Sequence, residues 1–166
     1  MFGYIIKKIR YLSLKNKNKC MLQNSKPGKN NSEPISPDLE KNLEVIKGIL
    51  RDSSDVTIHE FNFGHDRSFK GALIFFNSIA DKDEIHKNVL QPLMYDVLLL
   101  HNNADMDLTK IDTIRKNLIS ITDNLIVTLL SDLLENLVTG AAILLINGSK
   151  EALVIKSGKR ESRSIE

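Results

Sequence analysis

The stretch Val56-Thr57-Ile58-His59-Glu60-Phe61-Asn62-Phe63, with Gly71-Ala72-Leu73-Ile74-Phe75-Phe76-Asn77-Ser78 close behind it, decides the fold. In the first run the apolar residues alternate at Val56, Ile58, Phe61 and Phe63, with a one-residue slip at His59-Glu60. Alternation of this kind buries one face of an antiparallel strand and leaves the other wet. Ala72 to Phe76 is nearly continuous, the pattern of a strand covered on both faces. Between them Gly64 to Lys70 is polar and glycine-bounded, which predicts a loop that lets the two strands pair.

Working outward, Ser36-Pro37-Asp38-Leu39-Glu40 predicts a helix start, with Ser36 as N-cap and proline at the first helical position. Leu39, Leu43, Ile46 and Leu50 then share one face, and Ser53-Ser54 breaks the helix before the first strand. Beyond the second strand, Asp81 caps a helix carrying Ile85, Val89, Leu90, Leu93, Met94, Val97 and Leu98 at three- and four-residue spacing. Pro92 inside that pattern removes a donor and crowds the preceding turn, so a kink or restart is expected there. His101 to Asp105 ends the element. Leu108, Ile111, Ile114, Leu118 and Ile121 predict another helix. Leu129, Leu130, Leu133, Leu134, Leu137 and Val138 predict a third, with Gly140 placed for a left-handed C-cap. Leu125 to Val127 reads equally as strand or loop. Asn147-Gly148-Ser149-Lys150 separates Ala141–Ile146 from Glu151–Ile155, and Asn-Gly adopts positive φ readily, so a β-hairpin is expected.

This order predicts an α/β (α+β) domain: a small mixed or antiparallel sheet of about four strands with helices packed on it. The expected divisions are a basic arm and linker over 1–35, the domain over 36–157, and a polar tail over 158–166 that leads towards a second subdomain. The length of 166 residues suits one compact domain plus a tail.

The net charge of +2 hides an asymmetry. The first thirty residues hold eight bases and no acid. Without those eight, fifteen bases face twenty-one acids, a balance of −6. A basic arm on an acidic body points to an anionic surface, with Lys7, Lys8 and Arg10 as the candidate membrane contacts. Ile5, Ile9 and Leu12 can share a helical face opposite those bases, which suits an interfacial helix; a solvated leader is the other reading. Lys15 to Pro37 is a polar linker. No apolar run approaches the roughly 20 residues that span a bilayer.

Reactive chemistry has no signature. Cys20 is the only cysteine, and one cysteine makes neither an internal disulfide nor a cysteine-rich zinc site. His59, His65, His86 and His101 lack metal-ligand spacing. Asp81-Lys82-Asp83-Glu84 complements a helix dipole. There is no nucleophile elbow and no phosphate-cradling glycine loop. The expectation is therefore no catalytic residue, no metal and no cofactor. Nucleic acid is not expected either: the body is acidic, tryptophan is absent and no aromatic strip lies beside bases.

Three stretches, in this order and spacing, carry a family resemblance. They are Asp55 to Phe61 with Ala72 to Phe76; Asp81 to Ile85 with Val89-Leu90-Gln91-Pro92-Leu93-Met94; and Leu137 to Ser149 with Ala152 to Ile155 and the closing Arg163-Ser164-Ile165-Glu166. From about Ser36 to Glu166 the chain resembles the N-terminal soluble domain of the A subunit of GerA-family spore germination receptors. The resemblance implies a membrane protein with this domain on the cytoplasmic side of the spore inner membrane, followed by a second small α/β subdomain and a bundle of membrane helices. It implies B and C subunits as partners and nutrient-triggered germination as the role, with no enzyme activity. It also makes the tail a joint to that second subdomain, with Arg163 and Glu166 as candidate ion-pair partners and Asn147 and Gly148 as further candidate interface residues; a frayed terminus is the other reading of the tail. The chain departs from the family pattern where it stops at Glu166, which reads as a fragment or as a truncated reading frame, and where Lys159 follows Gly158 at a place where the family often has a tryptophan. A soluble small-molecule-binding α/β domain, with a cleft beside Gly64 to Lys70, is the alternative function.

Overall fold

The computed structural model describes residues 33–51, 53–97 and 107–156. The basic arm, the His101–Asp105 segment and the tail from Ser157 lie outside the described residues.

Five strands form one fully antiparallel sheet in the order β1-β2-β4-β5-β3. These are β1 (Val56–Phe63), β2 (Phe69–Phe76), β3 (Asn124–Val127), β4 (Ala142–Ile146) and β5 (Ala152–Ile155). The strand beyond the expected four is β3. Its own burial pattern is weak, and it is held by its register with β5, from Asn124↔Ile155 to Val127↔Ala152. The second run begins at Phe69, two residues earlier than its apolar pattern, and ends at Phe76, where Asn77 and Ser78 turn away.

Helices cover both faces. α1 (Leu39–Leu50) and α4 (Leu130–Val138) pack on Ala72, Ile74, Ile143, Leu145 and Val154. On the other face, α2 (the helical run from Lys82 to Asp96) and α3 (Ile111–Asn117) pack on Leu73, Leu144, Ile146, Leu153 and Ile155. α2 is the run from α-helical Lys82–Ile85 through the π-helical turns His86–Leu90 and Pro92–Asp96. The central strands β4 and β5 are buried throughout, as strands between two layers must be.

The slip at His59-Glu60 proves to be a change of face and not a break. The register with β2 runs unbroken from Val56↔Phe76 to Phe63↔Phe69. Val56 and Ile58 pack with the α1/α4 layer, whereas Phe61 and Phe63 pack with the α2/α3 layer. The strand therefore splits its apolar residues between the two cores.

Local chemistry explains the remaining differences. The N-cap of α1 is Asp38 and not Ser36: an Asp38 carboxylate oxygen accepts from Glu40 N at 3.1 Å, and Ser36 Oγ accepts from Asp38 N at 3.1 Å. Pro37 thus precedes the cap. α3 is shorter than its apolar spacing, because Leu108 and Ile121 reach the same core from flanking turns. Asp107 builds the first of these turns, accepting from Thr109 N at 3.1 Å and from its hydroxyl at 2.5 Å.

Ile85, Val89 and Leu93 of α2 and Val97 at its C-cap are all buried at a strict four-residue repeat. An α-helix of about 3.6 residues per turn drifts out of phase with such a repeat. The wider π turns on either side of Pro92 counter that drift and relieve the crowding proline imposes. The restart expected at Pro92 takes this form.

The β1–β2 loop is strained. Asp66 and Arg67 have φ of 59° and 54° beside Gly64 at 81°. The left-handed region costs a side chain roughly 1–2 kcal/mol, and arginine lacks the short polar group that offsets it. Arg67→Gly is expected to raise stability by about 0.5–1 kcal/mol after the entropy of an added glycine, measured by urea denaturation; a loss of stability counts against the loop geometry.

Candidate functional site

One end of the sheet gathers the polar groups. Gly71 pairs with Ile146, which brings the β1–β2 loop beside the β4–β5 turn. Asn147 N donates to Lys70 O at 2.9 Å, and Gly148 N donates to Pro37 O at 2.7 Å. Asn147 Oδ1 accepts from Leu39 N at 3.2 Å, so the turn supplies a second cap to α1. Of the two turn residues only Gly148 has positive φ, at 91°. The hairpin is as expected, but Asn147 serves through its side chain and not through a left-handed backbone. Both residues are exposed and bound within the domain.

Asn42 completes this seam. It is 6% exposed; its Oδ1 accepts from Ser36 N at 2.9 Å and its Nδ2 donates to Ser36 O at 2.7 Å. Asn42→Ala leaves both Ser36 groups without partners in a half-buried place. Unmade buried hydrogen bonds cost about 1–3 kcal/mol each, so a loss of roughly 2–4 kcal/mol is expected, read as a lowered urea midpoint. An unchanged midpoint would show that water replaces the side chain.

A charged ladder runs over the α1 face beside the seam. Lys47 Nζ donates to Glu60 Oε1 at 3.0 Å, Lys70 Nζ lies 3.5 Å from Glu60 Oε2, and Lys70 also donates to Glu40. The hydrogen bond from Lys47 is the main cause holding Glu60 below the usual carboxylate range; Lys70 adds to it. Lys70 is raised, first by Glu40 and then by Glu60. A lowered carboxylate stabilises the fold above its unfolded pKa, and that gain is lost as pH falls through the folded value. The raised Lys70 acts in the opposite sense: its contribution disappears only as pH climbs through its folded value, above 10.5. The melting midpoint is therefore expected to fall on acidification below about pH 4.3, less steeply in Lys70→Met and at high salt. Equal acid slopes would exclude the ladder as the cause.

At the other end lies a groove of about 510 Å³ between β1, the end of β2 and α2. Its lining includes His59 and His86, which are 27 residues apart in sequence, together with Phe75, Leu90, Met94 and Tyr95. None of residues 64–70 lines it, so this groove is not the cleft expected beside that loop. Its position depends on the register of α2, which the π turns set; the sequence signal for it was Pro92. Among the described residues no group of three or more His, Cys, Asp or Glu is placed to hold a metal ion, and no helix is long and apolar enough to cross a membrane. Lys7, Lys8, Arg10, Arg163 and Glu166 lie outside the described residues.

Comparison with known proteins supplies the context. A family model described as Bacillus/Clostridium GerA spore germination protein matches residues 44–166. The chain is 30% identical over 133 residues to the spore germination protein GerLA of Bacillus cereus, covering 78% of this chain and 26% of that protein. It is 28% identical over 132 residues to spore germination protein KA of Bacillus subtilis (strain 168), covering 80% and 23%. It is 29% identical over 135 residues to the uncharacterized membrane protein YfkQ of the same strain, covering 80% and 25%. The chain thus spans about a quarter of the length of these curated relatives. Among solved structures it is similar to the N-terminal domain of the A subunit of the Bacillus megaterium spore germinant receptor GerK3. That match has a TM-score of 0.65 and 26% identity, and covers 75% of this chain and 48% of the other. The residues that the family model matches, 44–166, include the β1–β2 pair, α2 and the β4–β5 hairpin that carried the resemblance in the sequence. By the extent of the family match and the shared architecture, this chain belongs to the GerA family of spore germination proteins, and within it to the N-terminal domain of the receptor A subunit.

Proposed function

We propose that this domain serves a nutrient germinant receptor by protein–protein contact and not by catalysis. It sits on the cytoplasmic, spore-core side of the spore inner membrane, attached to the rest of an A subunit and assembled with B and C subunits. The likeness to the GerK3 A-subunit domain carries this reading. The charge pattern supports it: eight bases and no acid in the first thirty residues suit an anionic membrane surface, with Lys7, Lys8 and Arg10 foremost. Arg163 and Glu166 pair across the joint to the following subdomain, and the exposed Asn147-Gly148 turn meets a neighbouring chain. Catalysis has no part in this reading: the ionised groups of the ladder pair with one another and hold α1 to the sheet.

Spores in which the gene carries an in-frame deletion of residues 36–157 test the reading. They are expected to lose germination to at least one nutrient and to germinate normally when the nutrient step is bypassed. Wild-type rates with every nutrient would overturn the assignment. Removing residues 1–31 from the purified chain is expected to weaken binding to anionic vesicles at low salt; unchanged binding removes the arm's role and leaves the receptor reading standing.

A further inference from the structure

Two features meet on one side of the sheet. β1 pairs with β2 along its whole length, and among the described residues no strand pairs with its other edge. That edge is eight residues long and has no proline, no lysine and no bulge. Those are the devices that usually keep an edge from accepting a further strand. Its one carboxylate, Glu60, is already bound to Lys47 and Lys70 on the α1 face. The opposite edge is treated differently. β3 has four residues, and the chain at Glu33 to Ile35 runs beside its end, with Ile35 N donating to Thr128 O and Leu130 N donating to Glu33 O, both at 2.9 Å.

The groove lies on the α2 face of the same unpaired edge. β1 contributes Thr57 and His59, and α2 contributes Leu90, Met94 and Tyr95. Tyr95 is 64% exposed, although most large apolar side chains of the domain are covered. Lys82 and Asp83 at the groove offset each other, which favours an uncharged side chain there.

Size decides the kind of occupant. A strand laid along β1 covers at most about 27 Å, and 510 Å³ holds one or two large side chains. An edge about 27 Å long and roughly 10 Å wide is a strip of about 270 Å², well short of the roughly 800 Å² per side that a folded partner covers. We propose that the β1 edge and the β1/α2 groove form a docking site for a short extended polypeptide segment. The segment adds to the sheet as a sixth strand and places an uncharged aliphatic or aromatic side chain beside Tyr95. Backbone hydrogen bonds along β1 supply affinity, and the groove supplies selectivity at alternate positions. The site deepens the contact reading above; its test uses peptides alone, so either can fail without the other.

Linear dodecapeptides from a random displayed library, selected on the full chain, test the site. The enriched peptides are expected to alternate apolar and polar residues. Amide shifts from a bound representative should map to Val56–Phe63 and to Leu90–Tyr95. His59→Lys, which puts a charge on the edge, and Tyr95→Ala, which empties the groove rim, should each weaken binding by about tenfold or more with the melting midpoint unchanged. No enrichment, a three- and four-residue apolar spacing, or full affinity in both variants overturns the proposal. Concentration-dependent dimers of the chain that His59→Lys dissolves overturn it as well, because a second copy would then be the occupant.

Discussion

Leu144→Asp is expected to leave the domain unfolded, while Leu144→Ala folds with its stability reduced by about 2–5 kcal/mol. Leu144 sits at the middle of β4, pairs with Leu73 on one side and Leu153 on the other, and is fully buried. Its side chain faces the layer of α2 and α3, among Leu73, Ile111, Ile114 and Leu153. None of these can pair a carboxylate. An unpaired buried charge costs several kcal/mol even after relaxation, on top of the lost packing. A domain of this size has roughly 5–15 kcal/mol in total. The alanine variant is the control: it removes the leucine packing, and leaves a larger cavity than aspartate does, without adding a charge. Circular dichroism should show a cooperative melt for Leu144→Ala and none for Leu144→Asp. A soluble, cooperatively melting Leu144→Asp would mean that β4 is not the centre of a two-sided sheet.

The same two-sidedness explains what the sequence made legible. A strand covered on both faces reads as a continuous apolar run, so Ala72–Phe76 and Ala141–Ile146 stood out. α1 and α4 stood out because one stripe of each is apolar, at Leu39, Leu43 and Ile46 and at Leu130, Leu133 and Leu137. β3 did not, because three half-buried residues and one buried one at an edge carry no period of their own; its partner β5 defines it. The face change in β1 looked like a slip for a related reason. Alternation records which residues are buried, not which of two cores takes them, and β1 serves both. The groove was hidden more deeply. It requires the phase of α2 relative to β1, and that phase is set by π turns around Pro92, whose extent no local propensity reports. The seam was half visible: Asn147-Gly148 announced a turn, but the bond from Leu39 N spans 108 residues and is a product of tertiary packing.

A single methyl group is expected to act with opposite signs at two glycines. Gly140 closes α4. Gly140 N donates to Leu137 O and Ala141 N donates to Asn136 O, both at 3.1 Å, the paired bonds of a Schellman motif. That geometry needs φ of 101° at Gly140. A Cβ there meets two penalties. The backbone strain is roughly 1–2 kcal/mol, and the new carbon falls 2.5 Å from Ile79 Cγ2, closer than van der Waals contact permits. Ile79 packs against the α1/α4 core, so it cannot swing away without loss. Gly140→Ala is expected to cost about 2–4 kcal/mol in all. Gly48 is the counter-case. It lies inside α1, and nothing stands within 4 Å of a Cβ built on it. Gly48→Ala is expected to add about 0.5–1 kcal/mol, because alanine has less backbone freedom to lose and the helix is indifferent to the methyl. Urea midpoints of the two variants should move in opposite directions. Pairing Gly140→Ala with Ile79→Ala separates the two penalties at Gly140: the steric part should return and the strain should stay. A fully additive double variant would assign the whole cost to the backbone, and a stabilising Gly140→Ala would show that α4 does not end in this cap.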